Sequence, residues 1–492
     1  MTELHDQNTA IRDPEVAQTA LVEIQAILAR QRLESQVVHR EQHTVGSDRQ
    51  ALVEQLVTKQ QNAALQSRLD HLHPADVAYI LEALPRDDRL LIWDLVRAER
   101  DGEILVEVSD AVRETLIASM DREELVAAAE TLDTDDLAAL APDLPEEVVE
   151  EVSEGLTIEE REQLRAAMSY PEGSVGARMD FEMVTIRDDV TLEVVLRYLR
   201  RFDELPDHTD QVFVVDRNER LQGALPISKL LVHEPETLVR DVMAKEVMTL
   251  HTHDDVGDAA QAFERYDLVS APVLDHHGGL LGRLTVNEVV DVIREKGEQD
   301  VFAQAGLREE EDLFSSVWAS AKNRWLWLAL NLCTAFFASR VIGAFEGTIE
   351  RVVALAALMP IVAGIAGNSG NQTMTLFIRS IALGQVTSAN ARRVFAKEIG
   401  IAGLNGVVWG SVAGVFAWWL YSDTDQGVLL GWTMMLAILL NLLIGALIGI
   451  LVPLVLERLG RDPAIGSSVL LTFSTDSMGF FIFLGLATLF FA

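Results

Sequence analysis

The chain has 492 residues, a formal net charge of −36 and one cysteine. The charge is uneven: residues 1–320 carry 30 basic and 68 acidic side chains, whereas residues 321–492 carry 10 and 8. An acidic surface of this strength repels phosphate, which argues against a nucleic-acid partner. The lone Cys333 permits no intramolecular disulfide, and long uncharged runs in the second part exclude a water-soluble enzyme.

In chain order, Met1 to Glu15 is polar, without the basic start and apolar stretch of a secretory signal. Residues 1–50 read as a polar, frayed helical extension in which Val16 to Leu33 is weakly amphipathic. Residues 51–165 predict an acidic, all-helical domain with short loops. Leu72, Asp76, Val77, Ala78, Leu84 and Pro85 recur sixty residues later as Leu132, Asp136, Leu137, Ala138, Leu144 and Pro145. Such self-similarity predicts stacked helical hairpins in a superhelix.

From 172 the pattern turns to α/β and comes twice, over 172–235 and 236–296. The first copy has a helix near Leu192 to Arg201 and strands Gln211 to Val215 and Leu221 to Leu225, joined by a turn at Asp216 to Glu219. The second has a helix at Val256 to Tyr266 and strands Ser270 to Leu274 and Leu280 to Thr285, around Asp275 to Gly279. This resembles a tandem pair of CBS domains, a regulatory module that often holds an adenine nucleotide. The resemblance implies a Ser or Thr ending the second strand and a ribose-binding Asp three residues later. Here Pro226 and Lys229 stand in the first copy, Thr285 and Glu288 in the second, which counts against ATP as a ligand.

Residues 286–318 read as a connecting segment, with a helix from Val286 to Phe314. Its acids include Glu288, Asp291, Glu295, Glu298, Asp300 and the run Glu309 to Asp312. Crowded carboxylates repel one another unless screened, and a divalent ion that screens them favours the compact state.

Residues 319–492 predict five membrane helices. Uncharged runs cover 27 residues (Val352 to Ile378), 24 (Ile399 to Ser422) and 31 (Gln426 to Leu456). Trp325 to Phe345 adds 21 residues with only Arg340 charged, and Pro463 to Ala492 adds 30 with only Asp476. Each is long enough for a hydrocarbon core of about 30 Å. Lys322, Arg324, Arg379, Arg392, Arg393, Lys397, Arg458 and Arg461 flank one side and Arg351 alone the other. That bias predicts a cytoplasmic amino terminus and an extracytoplasmic carboxyl terminus. Arg340, near the outer end of its span, is read as snorkelling to the headgroups.

Asp476 is different, because apolar residues flank it deeply on both sides. An acid at that depth faces a partner or a watery path, and no deeply embedded Lys or Arg offers a salt bridge, which points to a cation. The second span contains Pro360, Gly364, Gly367, Asn368, Ser369, Gly370, Asn371, Gln372 and Thr373, a composition costly in lipid unless it packs closely or lines water. Thr472, Ser474, Thr475, Ser477 and Gly479 surround the acid. Hard oxygen donors suit magnesium, calcium or manganese rather than soft metals. Asp462, fourteen residues earlier, would stand about 21 Å away along a helix, at the cytoplasmic mouth.

The domain order, the stretch GNSGNQT at Gly367 to Thr373, and the stretch Thr475 to Gly479 together resemble the MgtE magnesium channels. The resemblance implies a homodimer in the bacterial plasma membrane, not an enzyme, with a pore between protomers. In it Asp476 would bind hydrated magnesium, and Gly367, Asn368, Asn371, Gln372, Thr472 and Thr475 would line the path. The connecting helix would act as a plug, closed by cytosolic magnesium at Asp255, Asp267, Glu288, Asp291, Asp300, Asp462 and, in the helical domain, Asp136 or its neighbour Asp135. Gly257, Lys296 and Gln299 stand where the family pattern has further acids. The residue chemistry alone leaves two other readings open: a carrier coupling magnesium to protons or sodium, with Asp476 as relay, and a membrane magnesium sensor that conducts nothing.

Overall fold

The computed structural model describes residues 14–40, 59–307, 312–382, 385–386, 390–464 and 466–491. It divides into two compact units, one of residues 1–296 with 312–315, the other of 297–311 with 316–492. The acids Glu309, Glu310 and Glu311 of the connecting segment, and residues 1–13 and 41–50 of the extension, lie outside the described residues.

The first unit opens with α1 (Pro14–Arg40). It is not a frayed extension: Ala20, Ile24 and Leu28 are buried in the core of the helical domain. Their spacing of four places them on one helical face. Short helices follow: α2 (Pro74–Glu82), α3 (Arg86–Trp93), α4 (Asp101–Glu107), α5 (Asp110–Ile117), α6 (Arg122–Ala129), α7 (Thr134–Leu140), α8 (Glu146–Gly155) and α9 (Ile158–Ala167). The sixty-residue repeat is structural. Its two copies fold as α2 and α7, and Pro85 and Pro145 each stand at the N-cap of the next helix, where a missing N–H leaves nothing unsatisfied.

Three helix junctions share a device that the apolar repeat does not reveal. Arg89, Arg113 and Arg161 each stand four residues after an N-cap and turn back onto carbonyls that end the preceding helix. Their Nε atoms donate to the Leu81, Leu105 and Ser153 carbonyls, each at 2.8 Å. Further donors reach the carbonyls of Leu84, Val108 and Leu156. These are among the carbonyls a helix end leaves without an intrahelical donor. Arg89 alone of the three is fully buried, and its remaining donor reaches Asp312 Oδ2 at 2.7 Å.

Two three-stranded sheets follow: β1 (Thr185–Arg187), β2 (Gln211–Val215) and β3 (Leu221–Pro226), then β4 (Leu250–His251), β5 (Ser270–Leu274) and β6 (Leu280–Thr285). Each sheet pairs its first strand parallel and its last antiparallel to the middle one, with a register shift after Val214 and again after Val273. Helices α10 (Leu192–Leu199) and α11 (Val256–Tyr266) precede the middle strands. The duplicated pattern read from the sequence is thus a duplicated fold. The two copies join where the Leu221 N–H donates to the Gly278 carbonyl (3.2 Å) and the Leu280 N–H to the Glu219 carbonyl (3.0 Å).

The connecting helix α12 runs over Val286–Ala305, shorter than the sequence reading. Gly306 ends it at φ +73°, and a Cβ there would lie 2.1 Å from the Trp327 ring. Only glycine combines that backbone with that approach.

The second unit contains five long helices among the described residues: α13 (Val317–Gly343), α14 (Ala354–Ala382), α15 (Ala391–Leu420), α16 (Gly427–Arg458) and α17 (Ser467–Phe490). The first starts at Val317 rather than Trp325. Four are long and apolar enough to cross a membrane; α14 is the exception. Its 29 residues suffice in length, but glycines and carboxamides from Gly364 to Thr373 dilute it. Backbones touch where small residues face each other. A Cβ on Gly414 would lie 2.6 Å from the Gly431 carbonyl, and one on Gly449 2.8 Å from the Gly370 carbonyl. Close approach of this kind is how helices associate in lipid.

Candidate functional site

Asp476 stands in the middle of α17, half-buried, and no hydrogen bond or ion pair is formed by its carboxylate among the described residues. Thr475 beside it is fully buried, its hydroxyl donating back to the Leu471 (3.0 Å) and Thr472 (3.2 Å) carbonyls. A Cβ on Gly367 would meet Thr475 Oγ1 at 3.5 Å, ordinary contact, so the two motifs singled out in the sequence adjoin. Thr472 is exposed, its hydroxyl donating to the Ser468 carbonyl at 2.9 Å. Asn368 is exposed too, and Asn371 and Gln372 line an open cleft of about 430 Å³ with Thr375 and Leu376.

Two residues of this region escaped sequence reading. Asn441 on α16 is 0% exposed, and its Nδ2 donates to the carbonyls of Val362 on α14 and Thr475 on α17, both at 3.1 Å. With two carbonyls as partners, the amide orientation is unambiguous. Asn441 therefore ties three helices together next to Asp476. Gly479 makes room for it: a Cβ there would sit 2.4 Å from Asn441 Nδ2. The signal was present, as Asn441 is the only carboxamide deep inside the run Gln426 to Leu456. The second residue is Glu398 on α15, 8% exposed, whose Oε2 accepts from Thr373 Oγ1 at 3.2 Å. It immediately precedes the uncharged run that begins at Ile399, and so falls outside the span read from the sequence.

Asp462 is exposed and lies in the turn before α17, where its Oδ1 accepts from the Ala464 N–H at 2.8 Å. Because α17 begins only at Ser467, the chain from Asp462 to Asp476 is not helical throughout, and helical rise does not set their separation at about 21 Å.

In the first unit, Asp136 on α7 and Glu288 and Asp291 on α12 belong to one group of acids, which also takes in Glu107, Asp133, Asp135 and Asp180. Asp135 is pushed up to about 7 by burial and then by repulsion from Asp180 and Asp136. Asp136 is raised to about 6, by burial and then Asp133 and Glu107. Burial raises Glu288 to about 7; Arg178 opposes this, while Asp291 and Asp136 add to it. The nearby arginines are engaged: Arg178 lies 2.9 Å from Glu295 and 3.9 Å from Glu288, and Arg283 lies 2.7 Å from Asp180. No three acid, imidazole or thiol side chains among the described residues form a ready-made coordination sphere. The group is a loose cluster of carboxylates, suited to an ion that keeps its waters.

Asp255 and Asp267 stand at opposite ends of α11. Asp255 Oδ1 accepts from the Asp258 N–H at 3.0 Å, and Asp267 is the left-handed C-cap at φ +53°. An 11-residue helix separates them by about 17 Å, so they do not share one ion. A Cβ on Gly257 would lie 2.4 Å from Lys296 Nζ and 2.9 Å from Asp255 Oδ1. An ammonium thus overhangs this end of the helix, where the resemblance implies acids. Asp300 lies on the part of α12 that belongs to the second unit. At the nucleotide positions, Lys229 Nζ donates to the Val242 carbonyl at 3.1 Å and Glu288 faces Arg178.

The family profile described as "MgtE: Divalent cation transporter" matches residues 359–486, "MgtE intracellular N domain" matches 72–173, and a CBS domain profile matches 239–295. Magnesium transporter MgtE of Thermus thermophilus is 29% identical over 433 residues, covering 87% of this chain and 95% of the relative. Magnesium transporter MgtE of Bacillus subtilis is 27% identical over 424 residues, covering 86% and 93%. Among solved structures, the cytosolic domain of the Mg2+ channel MgtE in complex with ATP shares 28% identity at a TM-score of 0.44, covering 49% of this chain and 98% of that one.

Proposed function

This chain belongs to the MgtE family, and on that premise we propose that it is a homodimeric, magnesium-selective channel gated by cytosolic magnesium. The observation that carries the reading is Asp476, a carboxylate with no hydrogen-bond or ion-pair partner among the described residues, in the middle of a membrane helix and adjoining the carboxamide-rich segment of α14. Two copies across a dimer axis would present two charges to a hydrated ion, with Asn368, Asn371, Gln372 and Thr472 as oxygen donors along the way. Magnesium sheds water reluctantly, so exposed carboxamides and hydroxyls that bond to its water shell suit it.

The amino terminus lies in the cytoplasm in this reading, and the membrane potential drives entry. At about 2.3 kcal/mol per charge per 100 mV, a divalent ion gains roughly 4.6 kcal/mol. Closure follows from the acid group of the first unit. Magnesium there would neutralise Asp135, Asp136 and Glu288, whose partial burial and repulsion from neighbouring acids already favour any added positive charge. Nucleotide is not needed for either step.

The test is magnesium uptake into proteoliposomes at a fixed potential. Asp476→Ala is expected to lose more than about 90% of initial uptake, the penalty of removing the charged group a conducted cation meets in mid-membrane. Uptake equal to the parent protein would sink the pore assignment. Single-channel steps at constant pH separate a channel from a proton-coupled carrier.

A further inference from the structure

The cleft-lining face of α14 is useful only if the helix is held in one rotation about its axis. Burial along it comes in pairs: Asn371 and Gln372 are exposed, Thr373 and Met374 buried, Thr375 and Leu376 exposed, Phe377 and Ile378 buried. Asn371 and Thr373 lie two residues apart, about 200° around the helix. Whatever grips Thr373 therefore sets where Asn371 points.

Two neighbours grip it. On α16, the Cβ position of Gly449 lies 3.4 Å from Thr373 Cβ, so the helices meet without a side chain between them. On α15, Glu398 Oε2 accepts the Thr373 hydroxyl at 3.2 Å. Glu398 is buried apart from one outlet, Lys397 Nζ at 3.9 Å from its other carboxylate oxygen, whose own side chain is 72% exposed. A carboxylate is a stronger acceptor than a neutral group, and burial gives its bond to Thr373 little competition from water.

We propose that Glu398 is a positioning residue, which through Thr373 fixes the rotation of α14 and so presents Asn371 and Gln372 to the cleft. The inference rests on the reading of this face as the ion path, but its geometry can be tested without transport. In a Cys333→Ala background, Asn371→Cys is labelled with a water-soluble methanethiosulfonate in the full chain, and the rate is measured in parallel with magnesium uptake. Glu398→Ala and Thr373→Val should each slow labelling, by at most roughly threefold to tenfold, the change in the rotational equilibrium constant expected from one intramembrane hydrogen bond. The double variant should be no slower than either single one. Glu398→Gln and Thr373→Ser, which keep acceptor and donor, should recover most of the parent rate and uptake.

Unchanged labelling in both Glu398→Ala and Thr373→Val, or effects that add in the double variant, would overturn the proposal. So would Glu398→Gln as impaired as Glu398→Ala, since the charge rather than the hydrogen bond would then matter. A parent protein that fails to conduct would refute the transport reading and leave the labelling cycle to decide this one.

Discussion

Around Asp135, Asp136 and Glu288 of the first unit, carboxylates are half-buried within reach of one another and their pKa values rise to between about 6 and about 7. In the second unit Asp476 stands singly in α17, preceded by the Ser474 and Thr475 hydroxyls, which bond back into their own helix. The first arrangement makes the affinity for a cation depend on how closely several segments pack. The second makes a fixed attraction that does not. A regulator needs the former, because only a site whose strength differs between two states can shift their balance. A path needs the latter.

The contrast is broken most directly on the crowded side. Glu288→Ala with Asp291→Ala relieves the repulsion that magnesium would relieve. Uptake should persist at internal magnesium concentrations that silence the parent protein, while flux at low magnesium stays unchanged. Inhibition at the parent concentration in the double variant would show that closure does not run through this group.

A smaller effect tests the solitary side. Asn441→Ala removes two hydrogen bonds that join α14, α16 and α17 beside Asp476, and should lower the stability of the second unit by about 1–3 kcal/mol. Gly479→Ala should act in the same direction, because the added methyl would displace the Asn441 amide. Thermal unfolding in detergent checks both, and uptake should fall with stability.

The smallest effect is that of pH on the first unit. Groups whose folded pKa values stand at about 6 to about 7, against ordinary values of 3.8 and 4.5, bind more protons folded than unfolded. Their contribution to stability is therefore greatest at low pH, declines as pH rises from about 4 to about 7, and levels off above. Magnesium should offset that decline, so its stabilising effect, followed by thermal unfolding with and without chelator, should be larger at pH 8 than at pH 5.5. An equal effect at both values would separate the acid group from magnesium binding.

Much of this was legible residue by residue. The strands Gln211 to Val215 and Ser270 to Leu274 coincide with β2 and β5 because turn residues bound short apolar runs on both sides. Asp476 was conspicuous because an acid inside thirty otherwise uncharged residues has few explanations. The burial of α1 was not legible, since its apolar stripe is too sparse to stand out against polar neighbours. Nor were Asp180, Asp133 and Glu107, three acids among many whose proximity depends on how α4, α7 and the first sheet region pack.

Composition, charge asymmetry and periodicity thus determined by themselves the acidic first part, the duplicated α/β pattern and a membrane region with a deep acid, because each is a local property summed along the chain. Only the tertiary structure decided that Asn441 braces Thr475, that Glu398 holds Thr373, and that Arg89 reaches Asp312. These partners lie 34, 25 and 223 residues apart. A hydrogen bond depends on atoms meeting at about 3 Å, and nothing in the composition of either segment specifies which distant segment will come that close.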